Sequence, residues 1–191
     1  MSSFDANKRN ASSLVADAKV ALEELDASLP QTSFAWPGAS LKEEWFDAVD
    51  PLTARPHDES GLPTDMQVIG AVQRTSTDQT VIMCAAGTMP GELHKLWKAS
   101  APGSYHMEYG FSCMGYEIAG AIGIKMADQS KHVVCMVGDG SYMMMNSELA
   151  TAVMMGLDFT VVVTDNRGFG CINRLQAATG GAEFNNLLEH S

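Results

Sequence analysis

Apolar positions in the second half of the chain fall in blocks rather than singly. His132–Val137 (HVVCMV) and Phe159–Thr164 (FTVVVT) are short runs rich in β-branched residues. The first is bounded by Gly138 and the second by Asp165-Asn166-Arg167-Gly168. Continuous runs of this length suit strands buried on both faces of a parallel sheet. Between them, Asn146–Met155 (NSELATAVMM) reads as a helix, with Ser141 or Asn146 as candidate N-cap and Gly156 as stop. Strand, turn, helix, strand predicts a βαβ unit whose right-handed crossover opens both turns at the carboxyl ends of their strands. Ligands of open α/β sheets bind at that edge. Nearer the start, Leu14, Ala18, Leu22, Leu25 and Leu29 recur at helical spacing ahead of Pro30, predicting an amphipathic helix. Residues 31–65 carry Pro37, Pro51, Pro56 and Pro63 and read as a linker around a short helix near Leu41–Val49. From Met66 onward the α/β pattern is continuous. The expected fold class is α/β: a mostly parallel central sheet with helices on both faces, preceded by a helical segment and the linker.

The two predicted turns carry the candidate chemistry. Asp139 sits in Gly138-Asp139-Gly140-Ser141, and Asn166 follows 27 positions later in Asn166-Arg167-Gly168. If the two strands are neighbours, these residues lie about 5 Å apart or a small multiple of it. A carboxylate, an amide oxygen and a backbone carbonyl are hard donors that suit Mg²⁺ or Ca²⁺ rather than zinc or copper. The glycines let the backbone approach a phosphate, and the following helix points its N-terminus at the same place. A lone GDG is more often a plain tight turn. The second glycine turn at matching position makes a metal–diphosphate clamp the better reading.

GDGS followed at this spacing by Asn-x-Gly resembles the thiamin-diphosphate motif of the acetolactate synthase and pyruvate decarboxylase superfamily. The resemblance implies that Asp139, Asn166 and the Gly168 carbonyl hold Mg²⁺ against the cofactor's diphosphate, with Gly138, Gly140 and Ser141 beside it. The family usually has Asn-Asn where this chain has Asp165-Asn166, which keeps the ligand and changes its neighbour. "CAAGTMPGELHKLW" (84–97) is similar to the first strand and turn of the family's pyrophosphate domain, placing Gly87 and Thr88 at the cofactor. "EYGFSCMGYEIAGAIGIKMA" (108–127) is similar to the segment that props the cofactor in its bent shape. That similarity implies Met114 as the prop and the Ser112 carbonyl as acceptor for the aminopyrimidine. "MPGELHKLW" and "TDNRGFGCINRLQ" resemble the branch of the family that hydrolytically opens a cyclic 1,2-diketone in inositol breakdown. An acetolactate-synthase-like carboligase and a non-catalytic diphosphate-binding module are the alternatives.

The resemblance further implies three parts: residues 1–30 as the last helix of a middle domain, 31–65 as linker, and 66–191 as a C-terminally truncated pyrophosphate domain. The chain would then be a piece of a longer enzyme, inactive alone. The glutamate that activates the cofactor would come from the pyrimidine-binding domain of a partner subunit in a homodimer or homotetramer, so no catalytic residue is assigned within these 191 residues.

Composition narrows the remaining choices. A net charge of −11 disfavours nucleic acid and acidic membranes as partners. No stretch reaches membrane-spanning length, and "MSSFDANKRN" lacks an apolar signal core, so a soluble cytoplasmic protein is expected. Cys84, Cys113, Cys135 and Cys171 show no CxxC pairing and read as reduced residues. Met143–Met145, Met154 and Met155 read as soft filling of a helix interior rather than a copper site. His106 is a weak candidate for substrate contact, and Glu117 and Glu148 read as ordinary helix carboxylates. Arg167 and Arg174 could meet an anion or pair with the acidic surface. Gly180-Gly181 through Asn185-Asn186 reads as a mobile loop.

Overall fold

The computed structural model describes residues 6, 8, 10–30, 38–54 and 61–190. Parts of the expected linker, 31–37 and 55–60, lie outside the described residues. The chain divides into two compact units, Met1–Ser40 and Leu41–Ser191.

In the first unit, helix α1 (Ala18–Ser28) begins where Asp17 caps it, its Oδ1 accepting from the N–H groups of Lys19 (3.0 Å) and Val20 (3.2 Å). The helix therefore starts four residues after Leu14. It buries none of its residues, and Leu22 and Leu25 are exposed.

The second unit is a four-stranded parallel sheet in the order β2-β1-β3-β4. The strands are β1 (Thr80–Cys84), β2 (Tyr105–Met107), β3 (His132–Gly138) and β4 (Thr160–Thr164). Side-chain alternation along β1 and β3 feeds two separate cores. Ile82, Cys84, Val134 and Met136 face α3 (Asp65–Thr75) and α4 (Thr88–Leu96), where Ile69 and Leu93 complete the packing. Val81, Met83, Val133 and Cys135 face α5 (Tyr116–Ala127) through Ile118 and Ala121. Helix α2 (Ala39–Thr53), expected as a short helix within the linker, adds Val49 to the first core. The Nε1 of its Trp45 donates to the Lys95 carbonyl at 2.9 Å.

Four expectations change here. β4 is an edge strand with Val163 exposed, so its continuous apolar run does not mark burial on both faces. The helix after β3 starts at Asp139, not at Asn146. It runs as α6 (Asp139–Met145), breaks at Asn146-Ser147, and resumes as α7 (Glu148–Met154). Because α6 begins directly at the strand end, Ser141 lies inside its first turn and caps nothing. Only one edge of this helix pair packs inward, through Tyr142 and Leu149. Met143, Met144, Met154 and Met155 point outward and are exposed, not filling an interior.

Candidate functional site

The strand order reverses between β1 and β3: β1 leads outward to β2, and β3 leads outward to β4 on the other side. A crevice forms at the carboxyl ends of strands at such a point. It is a cavity of ≈ 290 Å³, walled by the turns that follow all four strands. Ala86, Gly87 and Thr88 come from β1, and Ser112 and Met114 from β2. Gly138, Gly140 and Ser141 follow β3, and Asn166, Gly168 and Phe169 follow β4. All the residues expected near a cofactor line this wall except Asp139, which sits just behind it.

The register Gly138↔Thr164 brings the β3 and β4 turns side by side. Asp139 Oδ2 accepts the Gly168 N–H at 2.7 Å, across 29 residues of chain. Asn166 Oδ1 then lies 2.8 Å from the Gly168 carbonyl oxygen and 3.3 Å from Asp139 Oδ1. Three oxygens facing one another without a proton between them repel. Either of two changes relieves this: rotating the Asn166 amide, which turns both contacts into N–H donations, or placing a cation among them. An octahedral ion with ligands at about 2.1 Å requires neighbouring oxygens about 2.9 Å apart. The observed spacing brackets that value, so the donor set fits Mg²⁺. Among the described residues no group of three or more His, Cys, Asp or Glu is placed to hold a metal, which leaves soft or imidazole-based sites unsupported.

The Gly168 turn is pinned from outside. Gly168 bridges antiparallel to Leu187, the Phe169 N–H donates to the Asn186 carbonyl at 2.7 Å, and the Leu188 N–H donates to the Arg167 carbonyl at 2.9 Å. Gly168 has φ 134°, and a Cβ there would stand 2.4 Å from the Asn186 oxygen. Asn186 Nδ2 also bonds Gln176 Oε1 at 2.5 Å, on helix α8 (Gly170–Ala178). The end of the segment expected as a mobile loop, Asn186, together with Leu187 and Leu188, thus forms a strap across the candidate metal turn. No local motif announces such pairing.

Glu117, read from sequence as an ordinary helix carboxylate, is 1% exposed. Its Oε1 accepts from the Ala86 N–H at 3.4 Å and its Oε2 from the Gly115 N–H at 3.0 Å. Ser141 Oγ donates to both carboxylate oxygens, at 2.9 and 2.8 Å, and itself accepts from the Gly115 N–H at 2.7 Å. The Ser141 hydroxyl proton therefore points into the protein, leaving only its backbone facing the cavity. The one sequence signal was a carboxylate embedded in "YEIAGAIG", an otherwise apolar helix start. Burial first, and the Glu117 charge second, push the thiols of Cys84 and Cys135 up to about 12. These two cysteines stay protonated and unreactive at neutral pH, and all four are free.

On the β2 side, Glu108 holds the loop that carries Ser112 and Met114. Its Oε1 accepts from the Phe111 N–H at 2.8 Å and its Oε2 from the Cys113 N–H at 2.6 Å. Those bonds hold the carboxyl below its ordinary value and fix Ser112 at φ 54°, in the left-handed region. Across the cavity, Arg174 bonds the Thr88 hydroxyl. Burial raises the Asp65 carboxyl above its ordinary value, with Arg174 opposing and Glu92 adding to the shift. His106 is not brought to the cavity: it is exposed, and its ring stacks 6.3 Å from that of Tyr116.

This arrangement sets an oxygen-rich corner beside two glycine turns and the Met114 side chain in one cavity. The chain has relatives among known proteins. It is 37% identical over 94% of its length to the 3D-(3,5/4)-trihydroxycyclohexane-1,2-dione hydrolase of Clostridium perfringens (strain 13 / Type A). It is 39% identical over 96% to that of Bacillus thuringiensis (strain Al Hakam). The alignments cover 32% and 33% of those relatives, so the chain spans about a third of their length. Residues 85–189, more than half of the chain and nearly the whole cavity wall, match the family described as thiamine pyrophosphate enzyme, C-terminal TPP binding domain. The chain belongs to that family.

Proposed function

We propose that this chain holds thiamin diphosphate and Mg²⁺ for an enzyme that hydrolytically cleaves a C–C bond of a trihydroxycyclohexane-1,2-dione in inositol breakdown. The observation that carries the reading is the meeting of the Asp139 carboxylate, the Asn166 amide and the Gly168 carbonyl at the ends of adjacent strands. The relatives' names supply the substrate class. Asp139, Asn166 and the Gly168 carbonyl are the metal ligands. Gly138, Gly140, Ser141, Gly87 and Thr88 present backbone groups to the diphosphate, where the N-termini of α4 and α6 favour negative charge. Met114 supports the organic part of the cofactor and the Ser112 carbonyl accepts its amino group. When bound, thiamin diphosphate supplies a carbon nucleophile that can take up negative charge as the C–C bond breaks. The chain's own residues bind it, orient it and shield it from water.

No glutamate is among the cavity-lining residues described, which agrees with an activating glutamate supplied by the pyrimidine-binding domain of a partner subunit. The outward-facing methionines of α6 and α7, with Ile172 and Leu175 on α8, offer an apolar surface for that domain in a homodimer or homotetramer. Residues 1–30 and 31–65 are assigned to the end of a preceding domain and a linker. A cytoplasmic place is part of the proposal, and no described helix is long and apolar enough to cross a membrane.

The test is to assay the chain with Mg²⁺, thiamin diphosphate and the cyclic dione, first alone and then with the remaining two thirds of a curated relative added in trans. The reading expects no turnover alone and turnover on addition. Turnover of pyruvate instead of the dione would favour the carboligase. Equal thermal stabilisation by ADP and thiamin diphosphate would favour a plain diphosphate-binding module.

A further inference from the structure

We infer that Glu117 is the positioning residue of the cavity, the one group that ties the turns after β1, β2 and β3 to each other. Its carboxylate is 1% exposed, and no ion pair reaches it among the described residues. A buried carboxylate without a cation is costly unless hydrogen bonds replace its water. All the donors that replace water here belong to cavity turns: the Ala86 N–H after β1, the Gly115 N–H after β2, and the Ser141 hydroxyl after β3. No backbone carbonyl could serve them equally, because the carboxylate offers two oxygens about 2.2 Å apart, each with more than one lone pair. The group thus fixes the spacing between the Met114 turn and the GDGS turn. Those turns face the two ends of any elongated ligand in the cavity. By drawing the Ser141 hydroxyl proton inward, Glu117 also decides that GDGS presents backbone N–H groups rather than a side-chain donor.

Glu117→Gln keeps the shape and replaces one oxygen by an NH₂ group. Whichever way the amide turns, that NH₂ meets a backbone N–H, of Ala86 or of Gly115, and one turn loses its acceptor. Gly115 retains the Ser141 oxygen at 2.7 Å, whereas Ala86 has only the carboxylate. The amide therefore settles with its oxygen toward Ala86 and its NH₂ toward Gly115, whose N–H is left with the Ser141 oxygen alone.

The test reads residue-resolved amide hydrogen exchange in the 191-residue chain and in Glu117→Gln. The Gly115 amide should exchange about tenfold faster or more in the variant, the loss of one bond to a charged acceptor, while the Ala86 amide, which keeps an oxygen acceptor, should change less. Amides of Val134–Met136 in β3 should stay within about threefold of the parent. Unchanged protection at Gly115, or acceleration spread evenly through β3, overturns the inference. If Glu117→Gln does not fold, Ser141→Ala decides: Glu117 should then keep Ala86 and Gly115 protected, and release of both amides would make Ser141 the tie instead. The second readout is calorimetric affinity for thiamin diphosphate with Mg²⁺, and this part rests on the proposed function. Folded Glu117→Gln should bind about tenfold more weakly or worse, and equal affinity would contradict a positioning role toward the cofactor. If the parent chain binds no thiamin diphosphate, the functional reading fails while the exchange result still decides the role of Glu117.

Discussion

Replacing Asp139 by Asn separates what this residue does for the fold from what it does for a cation. In the fold, Asp139 accepts the Gly168 N–H at 2.7 Å. The Asn amide oxygen can accept the same bond, so the loss is the difference between a charged and a neutral acceptor, about 1 kcal/mol. The new NH₂ group takes the place of Oδ1, 3.3 Å from the Asn166 amide, whose oxygen can turn to accept from it. These two effects oppose each other, and the unliganded chain should keep its stability within about 1 kcal/mol. For the cation, the variant removes the only charged ligand. Substitutions one shell further from a metal already cost about 10–100-fold in affinity, so loss of this ligand should cost at least a hundredfold. The assay is calorimetric titration of thiamin diphosphate at fixed Mg²⁺, with thermal unfolding of both proteins without ligand. Parent-like affinity would refute the ligand assignment. A collapse of unliganded stability would show that Asp139 serves the fold first.

Three further outcomes follow from the geometry. Gly168→Ala puts a methyl group 2.4 Å from the Asn186 oxygen at φ 134°; strain and the loss of strap bonds should lower stability by about 2–4 kcal/mol, and an unchanged denaturation midpoint would contradict the strap. Met114→Ala, in an assembled enzyme, should lower turnover more than diphosphate affinity, since displacing reacting atoms by about 1 Å can cost a hundredfold; equal turnover would return Met114 to plain packing. The Glu108 carboxyl is depressed below its ordinary 4.5 by the Phe111 and Cys113 amides. Its contribution to loop order is therefore present above 4.5 and lost as pH falls through the lower folded value; the Phe111 and Cys113 amide resonances should titrate below 4.5, and a midpoint at or above it would contradict the bonds.

What the sequence discloses here is what depends on strand period and turn spacing. β-branched runs marked β3 and β4, and the interval between Asp139 and Asn166 placed both at one sheet edge because a helix returns the chain to the neighbouring strand. Position along that edge was legible too, since Gly87, Ser112 and Met114 each follow a strand end. What was hidden depends on approach across the fold. Glu117 looks like a solvated carboxylate until the GDGS turn closes over it. The strap of residues 186–188 is irregular backbone whose partners lie some 20 residues away, and it follows the Gly180-Gly181 pair that reads as mobility. The methionines of α6 and α7 have the composition of an interior but face outward, because Tyr142, Leu149 and the buried Ala152 form the inward edge of that helix pair. Helix starts were displaced wherever a cap or strand end outweighed periodicity, as at Asp17 and Asp139.

The central claim is that Asp139, Asn166 and Gly168 hold a divalent cation against a diphosphate. Crystals grown with thiamin diphosphate and Mn²⁺ in place of Mg²⁺ test it directly, because manganese scatters anomalously. The account predicts one anomalous peak about 2.2 Å from an Asp139 carboxylate oxygen, Asn166 Oδ1 and the Gly168 carbonyl, with diphosphate density running from it toward Gly87 and Gly140. A peak elsewhere, or diphosphate bound with the Asn166 amide nitrogen turned toward Gly168, would contradict it.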